Sequence, residues 1–184
     1  MLLANAGVDA ALDVAAINED ETKRALKLAG ASVEDAALRL ATLKAERVSR
    51  RQPGALVLGC DQMLECEGRW FDKPASPAEA ALQLAALSGR THRLVSAVVA
   101  VEDGVLAWRH LDEARMTMRA LSPCFIDAYV ASLGEAATGS VGAYQLEGRG
   151  AQLFARIEGD FFTILGLPLL PVLAFLRARG ALPS

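Results

Sequence analysis

ALVLGCDQMLECEGRWFDKP, residues Ala55–Pro74, joins a continuous apolar run to an acid and a base. Its first residues, Ala55–Leu58, are too few and too uniformly apolar for an amphipathic helix, and they predict a strand buried on both faces. Asp61 then stands at the carboxyl end of this strand, the edge at which open α/β sheets bind ligands. Together with Lys73, it would suit a phosphate-bearing substrate and a divalent cation. The alternative is that Asp61 caps a turn and Lys73 is a solvated loop residue.

The rest of the chain alternates helical and strand patterns, with no composition break, low-complexity tract or internal repeat. N-capping serines and first-turn prolines mark helix starts, and glycine-containing turns separate the strands. The predicted helices run from Ser32 to about Arg50, from Ser76 to about Gly89, from Ser122 to about Ser132, and from Leu169 to Arg179. The further predicted strands are Arg69–Phe71, Arg93–Val101, Val105–Thr117, Leu153–Glu158 and Phe161–Leu165. This pattern predicts an α/β fold, a mixed central sheet with helices on its faces.

Composition bounds the class of protein. With 184 residues, 53% of them hydrophobic, the chain can bury one good core, and we expect a single domain over residues 1–184. A net charge of −3 argues against a nucleic-acid partner. The three cysteines have no metal-ligand spacing and are expected to be reduced. Because every apolar run is too short to span a bilayer and no signal peptide is evident, we expect a cytoplasmic protein without a membrane partner.

Several segments together resemble the Maf family of nucleotide pyrophosphatases, also called septum-formation inhibitors. The matching segments are LRLATLKA at Leu38–Ala45, LGCDQ at Leu58–Gln62, DKP at Asp72–Pro74, LSGRTH at Leu87–His92, and VGAYQLEGRGAQLFARIEGDFFTILGLP at Val141–Pro168. The resemblance implies a fold like that of Maf proteins and inosine triphosphatases. It also implies hydrolysis of a nucleoside triphosphate to a monophosphate and diphosphate, assisted by Mg²⁺ or Mn²⁺.

The resemblance assigns site residues by their position in these segments and, for Glu19, by its position in the family's VDE motif. The implied catalytic residues are Asp61, Lys44 and Lys73; the implied metal ligands are Asp61, Glu19 and Glu147; the implied substrate contacts are Gln62, Arg90, Tyr144 and Glu147. Read from the residues alone, Lys44 could instead snorkel to solvent from an apolar helix face, and Arg90 could hold loop carbonyls. His92 is predicted to be structural, and the glycine-punctuated loop at 142–150 either approaches a ligand or lies free on the surface.

The preferred base stays open between two branches of the family. Gln62 and Glu147 resemble the branch that accepts 7-methyl-GTP, whereas Tyr144 and Phe161-Phe162 resemble the branch directed at dTTP and UTP. An amide donor and a carboxylate acceptor could read the N–H edge of a guanine-type base, and Tyr144 could stack on a ring. We expect a modified or non-standard nucleotide.

Two departures from the family affect the expected activity. Maf proteins usually begin with a strand and an LASxSPRR loop that holds the triphosphate, but this chain starts in what resembles the following helix, so an N-terminally shortened domain is expected. The family's VDE motif reads Ile17-Asn18-Glu19, which leaves one carboxylate neutral. A non-catalytic Maf-like protein that binds nucleotide or regulates cell division is therefore the alternative function. The resemblance also makes a homodimer reasonable.

Overall fold

The computed structural model describes residues 2–183, which contain both helices and strands. The α-helices are α1 (Leu2–Asn5), α2 (Glu19–Leu28), α3 (Val33–Ser49), α4 (Pro77–Leu87), α5 (Pro123–Leu133), α6 (Phe161–Ile164) and α7 (Leu169–Ala178). The strands are β1 (Leu56–Cys66), β2 (Arg69–Phe71), β3 (Thr91–Glu102), β4 (Val105–Met118) and β5 (Phe154–Glu158). Short 3₁₀ turns occupy Gly134–Thr138, Val141–Ala143 and Arg149–Leu153.

The five strands form one sheet in the order β2-β1-β3-β4-β5. β1 pairs antiparallel with β2, and β4 pairs antiparallel with β5. The tight turn between β1 and β2 is made by Glu67 and Gly68, at φ values of 52° and 80°. Asp103 and Gly104 make the same kind of turn between β3 and β4, at 49° and 77°. Left-handed backbone at both central residues matches the twist of a hairpin, which is why an acid-glycine pair marks each turn.

The described chain forms two compact units, and β1, β3 and β4 each contribute residues to both. The first unit contains residues 2–62, 95–112 and 160–183, and the second contains residues 63–94 and 113–159. The expected organisation as a single domain stays a prediction. None of the helices within residues 2–183 combines the length and the apolar composition that a membrane span requires.

In the first unit, helices cover both faces of the sheet. Leu56, Leu58 and Cys60 alternate along β1 and pack into an apolar cluster with α7. Gly59, between them in the alternation, points to the opposite face and meets α3. This arrangement confirms the predicted α/β class with helices on the sheet faces.

The second unit is built around the helix pair α4 and α5 and the remaining halves of the long strands. Each of these helices begins as the sequence predicts, with the serine hydroxyl accepting a backbone N–H: Ser76 from Glu79 and Ser122 from Phe125. A proline follows each cap at the start of the helix. The fully buried side chains of this unit include Leu64, Leu84, Leu87, Leu94, His92, Met116, Met118 and Leu153.

Three sequence predictions are wrong in detail. Ala55–Leu58 is only partly buried, and the strand that it begins continues through Asp61 to Cys66, so Asp61 lies within β1 and not at its carboxyl end. The segment after Gly159 is the short helix α6, not a strand. The reason is local, because the Asp160 carboxylate accepts the backbone N–H groups of Phe162 and Thr163 and starts a helical turn.

Candidate functional site

A lysine ammonium contacts two carboxylates in the first unit. Lys44 Nζ donates to Asp61 Oδ1 at 2.6 Å and lies 2.9 Å from Glu19 Oε1. The exposed fractions of the side chains are 5% for Asp61, 22% for Lys44 and 41% for Glu19, so the cluster is closed at Asp61 and open at Glu19. The structure thus brings together three of the residues expected at the site, and it places Lys44 against a carboxylate instead of free in solvent.

Local capping positions the two helices that supply this cluster. Asn18 accepts the backbone N–H of Glu21 at 3.1 Å, which starts α2 and sets Glu19 in its first turn. Asn18, the neutral residue in the VDE position, is therefore a helix cap. Ser32 caps α3 in the same way through Asp35, and Lys44 follows three turns later on that helix.

Burial and charge oppose each other at the Lys44–Asp61 pair. Burial raises the pKa of Asp61 above its ordinary value, while the Lys44 ammonium acts in the lowering direction. Burial alone would lower the pKa of Lys44, but the two carboxylates outweigh it and raise that pKa, so Lys44 stays charged. Neighbouring Cys60 has its pKa raised to about 12, chiefly by burial. A thiolate nucleophile at Cys60 is thereby disfavoured.

One oxygen of the buried aspartate has no partner within residues 2–183. Asp61 Oδ1 accepts from Lys44, whereas Asp61 Oδ2 is buried and accepts no hydrogen bond there. A buried carboxylate oxygen without a donor is costly unless a ligand satisfies it. No group of three or more metal-binding side chains occurs among the described residues. Mg²⁺ commonly binds through only one or two carboxylates and takes its other ligands from water and substrate phosphates, so Asp61 and Glu19 fit such an ion.

Lys23 is a residue of this site that the sequence analysis did not identify. It follows Glu19 by one turn on α2, and its charge acts on Asp61 in the direction that lowers the aspartate pKa. Residues four apart share a helix face, so the Glu19–Lys23 spacing was the available signal. The positive charge of Lys23 therefore acts on Asp61 in addition to that of Lys44.

The amide of Gln62 is occupied by the protein itself. Gln62 Nε2 donates to Ser96 Oγ at 2.9 Å, to the Thr163 carbonyl at 3.0 Å and to the Ile164 carbonyl at 3.1 Å. Ser96 Oγ donates to the same Thr163 carbonyl at 2.8 Å, and Thr163 Oγ1 donates to Asp112. In this structure the amide nitrogen ties β1 to the end of α6, and only the amide oxygen is left to meet a ligand.

Exchanging this amide for a carboxylate is expected to destabilise the protein. In Gln62→Glu, a carboxylate would face the Thr163 and Ile164 carbonyl oxygens that the amide now satisfies, at a cost of about 1–3 kcal/mol. Gln62→Met, of similar length and without charge, is the matched variant and should lose less. Urea unfolding at pH 8 measures the difference. Equal stability of Gln62→Glu and the parent would contradict the anchoring role.

The other expected site residues lie in the second unit. Tyr144 is 5% exposed, its hydroxyl is 2.7 Å from His92 Nε2, and its ring packs edge-on against Phe154 at 4.8 Å. Burial lowers the pKa of His92 to about 4, which agrees with its predicted structural role. In this structure the Tyr144 ring is buried beside His92 and Phe154, and its assignment as a substrate contact stays a prediction.

Arg90, Lys73 and Glu147 are exposed. Arg90, directly before β3, forms an ion pair with Glu67 in the turn between β1 and β2. Within residues 2–183 no hydrogen bond or ion pair joins Lys73, Arg90, Tyr144 or Glu147 to one another. Their assigned roles therefore stay predictions. At Gly150 in the loop at 142–150, a Cβ would overlap the Gln145 backbone, so packing within the protein accounts for that glycine.

Comparison with known proteins identifies the family. The chain matches the Maf family, described as Maf-like protein, over residues 1–179. It is 54% identical over 181 residues to a nucleoside triphosphate pyrophosphatase of Paramagnetospirillum magneticum, covering 98% of this chain and 93% of the relative. It is 55% identical over 179 residues to a 7-methyl-GTP pyrophosphatase of Mesorhizobium japonicum, covering 95% and 90%. It is 49% identical over 181 residues to a nucleoside triphosphate pyrophosphatase of Granulibacter bethesdensis, covering 98% and 92%. Because the family match covers nearly the whole length of this chain, the chain belongs to the Maf family.

Proposed function

We propose that this chain is a nucleoside triphosphate pyrophosphatase, which hydrolyses a nucleoside triphosphate to a nucleoside monophosphate and diphosphate. The observation that carries the proposal is the buried Asp61 carboxylate, with one oxygen on Lys44 and the other without a partner among the described residues. The names of the similar proteins supply the reaction class, because they are nucleoside triphosphate and 7-methyl-GTP pyrophosphatases.

Asp61 and Lys44 divide the chemistry between them. An ionised Asp61 accepts a proton from water, and the water oxygen forms a bond to the α-phosphorus. The bond between the α-phosphorus and the α–β bridging oxygen breaks as diphosphate leaves. Lys44 keeps its charge beside Asp61 and can offset negative charge that grows on phosphate oxygens. Lys73 is proposed as a further cation for the phosphates.

The proposed cofactor is Mg²⁺ or Mn²⁺, which suits an oxygen-rich donor set. Asp61 and Glu19 would hold the ion, and Glu147 is proposed as an additional carboxylate ligand. When bound, the ion would polarise phosphate oxygens and offset their charge. The support from this structure is the unpartnered Asp61 Oδ2 and the partial exposure of Glu19.

The substrate is proposed to be a modified nucleotide such as 7-methyl-GTP, or dTTP or UTP. Gln62, Arg90, Tyr144 and Glu147 are the proposed substrate contacts, with the amide oxygen of Gln62 as its free polar atom. The named 7-methyl-GTP pyrophosphatase at 55% identity supports the first of these substrates. A cytoplasmic location and a homodimer are further parts of the proposal.

A substrate panel tests this function. The purified chain is incubated with Mg²⁺ or Mn²⁺ and with 7-methyl-GTP, UTP, dTTP or a standard purine triphosphate, and both monophosphate and diphosphate are measured. Turnover of at least one substrate with release of diphosphate is expected. Nucleotide binding without turnover across the panel would favour a non-catalytic nucleotide-binding protein instead.

The same panel, run on Glu147→Gln, tests how the base is read. If the Glu147 carboxylate accepts hydrogen bonds from the base, the variant should change the ratio of kcat/KM between 7-methyl-GTP and UTP more than it lowers turnover on both. Glu135→Gln, an exposed glutamate of the same unit, is the matched control and should change neither. A uniform loss across the panel would mean that Glu147 serves the catalytic or metal set and reads no base.

A further inference from the structure

Gly59 lies at a close approach of β1 and α3. A Cβ at Gly59 would overlap the Ala41 carbonyl oxygen and would stand 2.8 Å from both Cβ and N of Ala45. Gly59 is not among the residues with positive φ. The position thus requires glycine for lack of space and not for an unusual backbone conformation.

The helix surface opposite Gly59 is also built from small residues. Ala41 and Ala45 are one turn apart on α3, and both are fully buried. Lys44 is three residues after Ala41 on α3, and residues three or four apart share a helix face, so Lys44 lies beside this pair of alanines. On β1, Asp61 follows Gly59 by two residues and therefore points to the same face of the sheet. The steric contact and the ion pair are neighbours on the same two elements.

We propose that Gly59 is a positioning residue for the Lys44–Asp61 contact. By carrying no side chain, it lets α3 lie close enough to β1 for Lys44 Nζ to reach Asp61 Oδ1 at 2.6 Å. Gly59 acts through these two residues and touches no reacting atom itself. The consequence for turnover rests on the proposed pyrophosphatase function, whereas the consequence for the contact does not.

The obstructing atoms are mostly backbone, which cannot rotate out of the way. A methyl group at Gly59 must therefore displace α3 from β1 by a large fraction of an ångström, and the ammonium group moves with the helix. A misplacement of about 1 Å in a reacting geometry commonly costs about 100-fold in rate. Gly59→Ala should accordingly lose about 100-fold in kcat with a smaller change in KM.

A double-mutant cycle distinguishes positioning from general damage to the fold. Pyrophosphate release is measured for the parent, Gly59→Ala, Lys44→Met and the double variant. If Gly59 acts through Lys44, the alanine substitution costs about 100-fold in the parent but less than about threefold in the Lys44→Met background. Losses that multiply in the double variant would overturn the proposal. Gly139→Ala, at an ordinary φ of −76° and with only the Ala136 carbonyl oxygen nearby, is the control and should retain activity.

A second substitution and a structural measurement cover the remaining outcomes. Ala45→Ser adds one atom to the same contact from the helix side, so it replaces Gly59→Ala in the cycle if that variant does not fold. Crystal structures of whichever variants fold should show the Lys44 Nζ–Asp61 Oδ1 distance lengthened by a large fraction of an ångström, and a contact unchanged at 2.6 Å would overturn the proposal. If the parent releases no diphosphate, the proposed function fails, and the crystallographic distance still decides the role of Gly59.

Discussion

Replacing Asp61 with asparagine is expected to lower pyrophosphate release at least about 100-fold, the usual scale for removing a positioned acid–base group. Asparagine keeps the shape of the side chain but cannot take a proton from water or supply a full negative charge to a cation. Lys44 keeps Glu19 as an ion-pair partner at 2.9 Å, so the cluster should survive the exchange. Activity should therefore fall without loss of the fold.

The measurement is diphosphate release from the preferred triphosphate, with circular dichroism and thermal unfolding as checks on folding. Asp20→Asn is the matched control, because it is the same aspartate-to-asparagine substitution at an exposed residue of α2, next to Glu19. The control should turn over substrate like the parent. Equal turnover by Asp61→Asn and the parent would remove Asp61 from the reaction.

Local interactions made most of the helices and strands predictable. Ser32, Ser76 and Ser122 each cap a helix through a backbone N–H three residues later, and a cap of this kind is readable from a few neighbouring letters. The hairpin turns at 67–68 and 103–104 are equally local, because an acid-glycine pair tolerates the left-handed backbone that they need. The same logic, applied to Asp160, would have predicted α6 instead of a strand.

Long-range packing determined what the sequence analysis could not predict. Nothing near Gly59 in sequence indicates that Ala41 and Ala45 will approach it, since that distance is set by the packing of α3 on β1. Gln62 carries an amide that could read a base, yet its amide nitrogen donates to the carbonyl oxygens of Thr163 and Ile164, about a hundred residues away. Donor groups are recognisable from residue type, but which acceptor occupies them is a tertiary property.

The Lys44–Asp61 pair shows the value and the limit of the family resemblance. The apolar face around Lys44 left open whether its ammonium turned to solvent, and only the resemblance favoured the site. The structure places Nζ on Asp61 at 2.6 Å. The expected strand end at Asp61 was nevertheless wrong, because apolar residues continue beyond it as Met63 and Leu64, and β1 runs on to Cys66.

Acidification from pH 7 to pH 4 is expected to lower the free energy of unfolding by about 3 kcal/mol through His92 alone. His92 is fully buried, and burial lowers its pKa from 6.5 to about 4. Between these two values the unfolded chain holds a proton at this position that the folded chain does not, so stability falls as the pH falls. A gap of roughly 2.5 pKa units at about 1.4 kcal/mol per unit gives the expected size. The loss should begin below about pH 6.5 and level off near pH 4.

Urea unfolding at several pH values, on the parent and on His92→Phe, isolates this contribution. The phenylalanine variant loses the 2.7 Å contact with the Tyr144 hydroxyl and should be less stable at pH 7, but its stability should depend less on pH below 6.5. Titrating carboxylates act on both proteins alike and cancel in the comparison. His110→Phe is the control, because His110 is the other histidine and is partly exposed beside Trp108, so the parent's pH dependence should persist. If His92→Phe kept the same dependence on pH as the parent, the pH dependence of stability would have to come from groups other than His92.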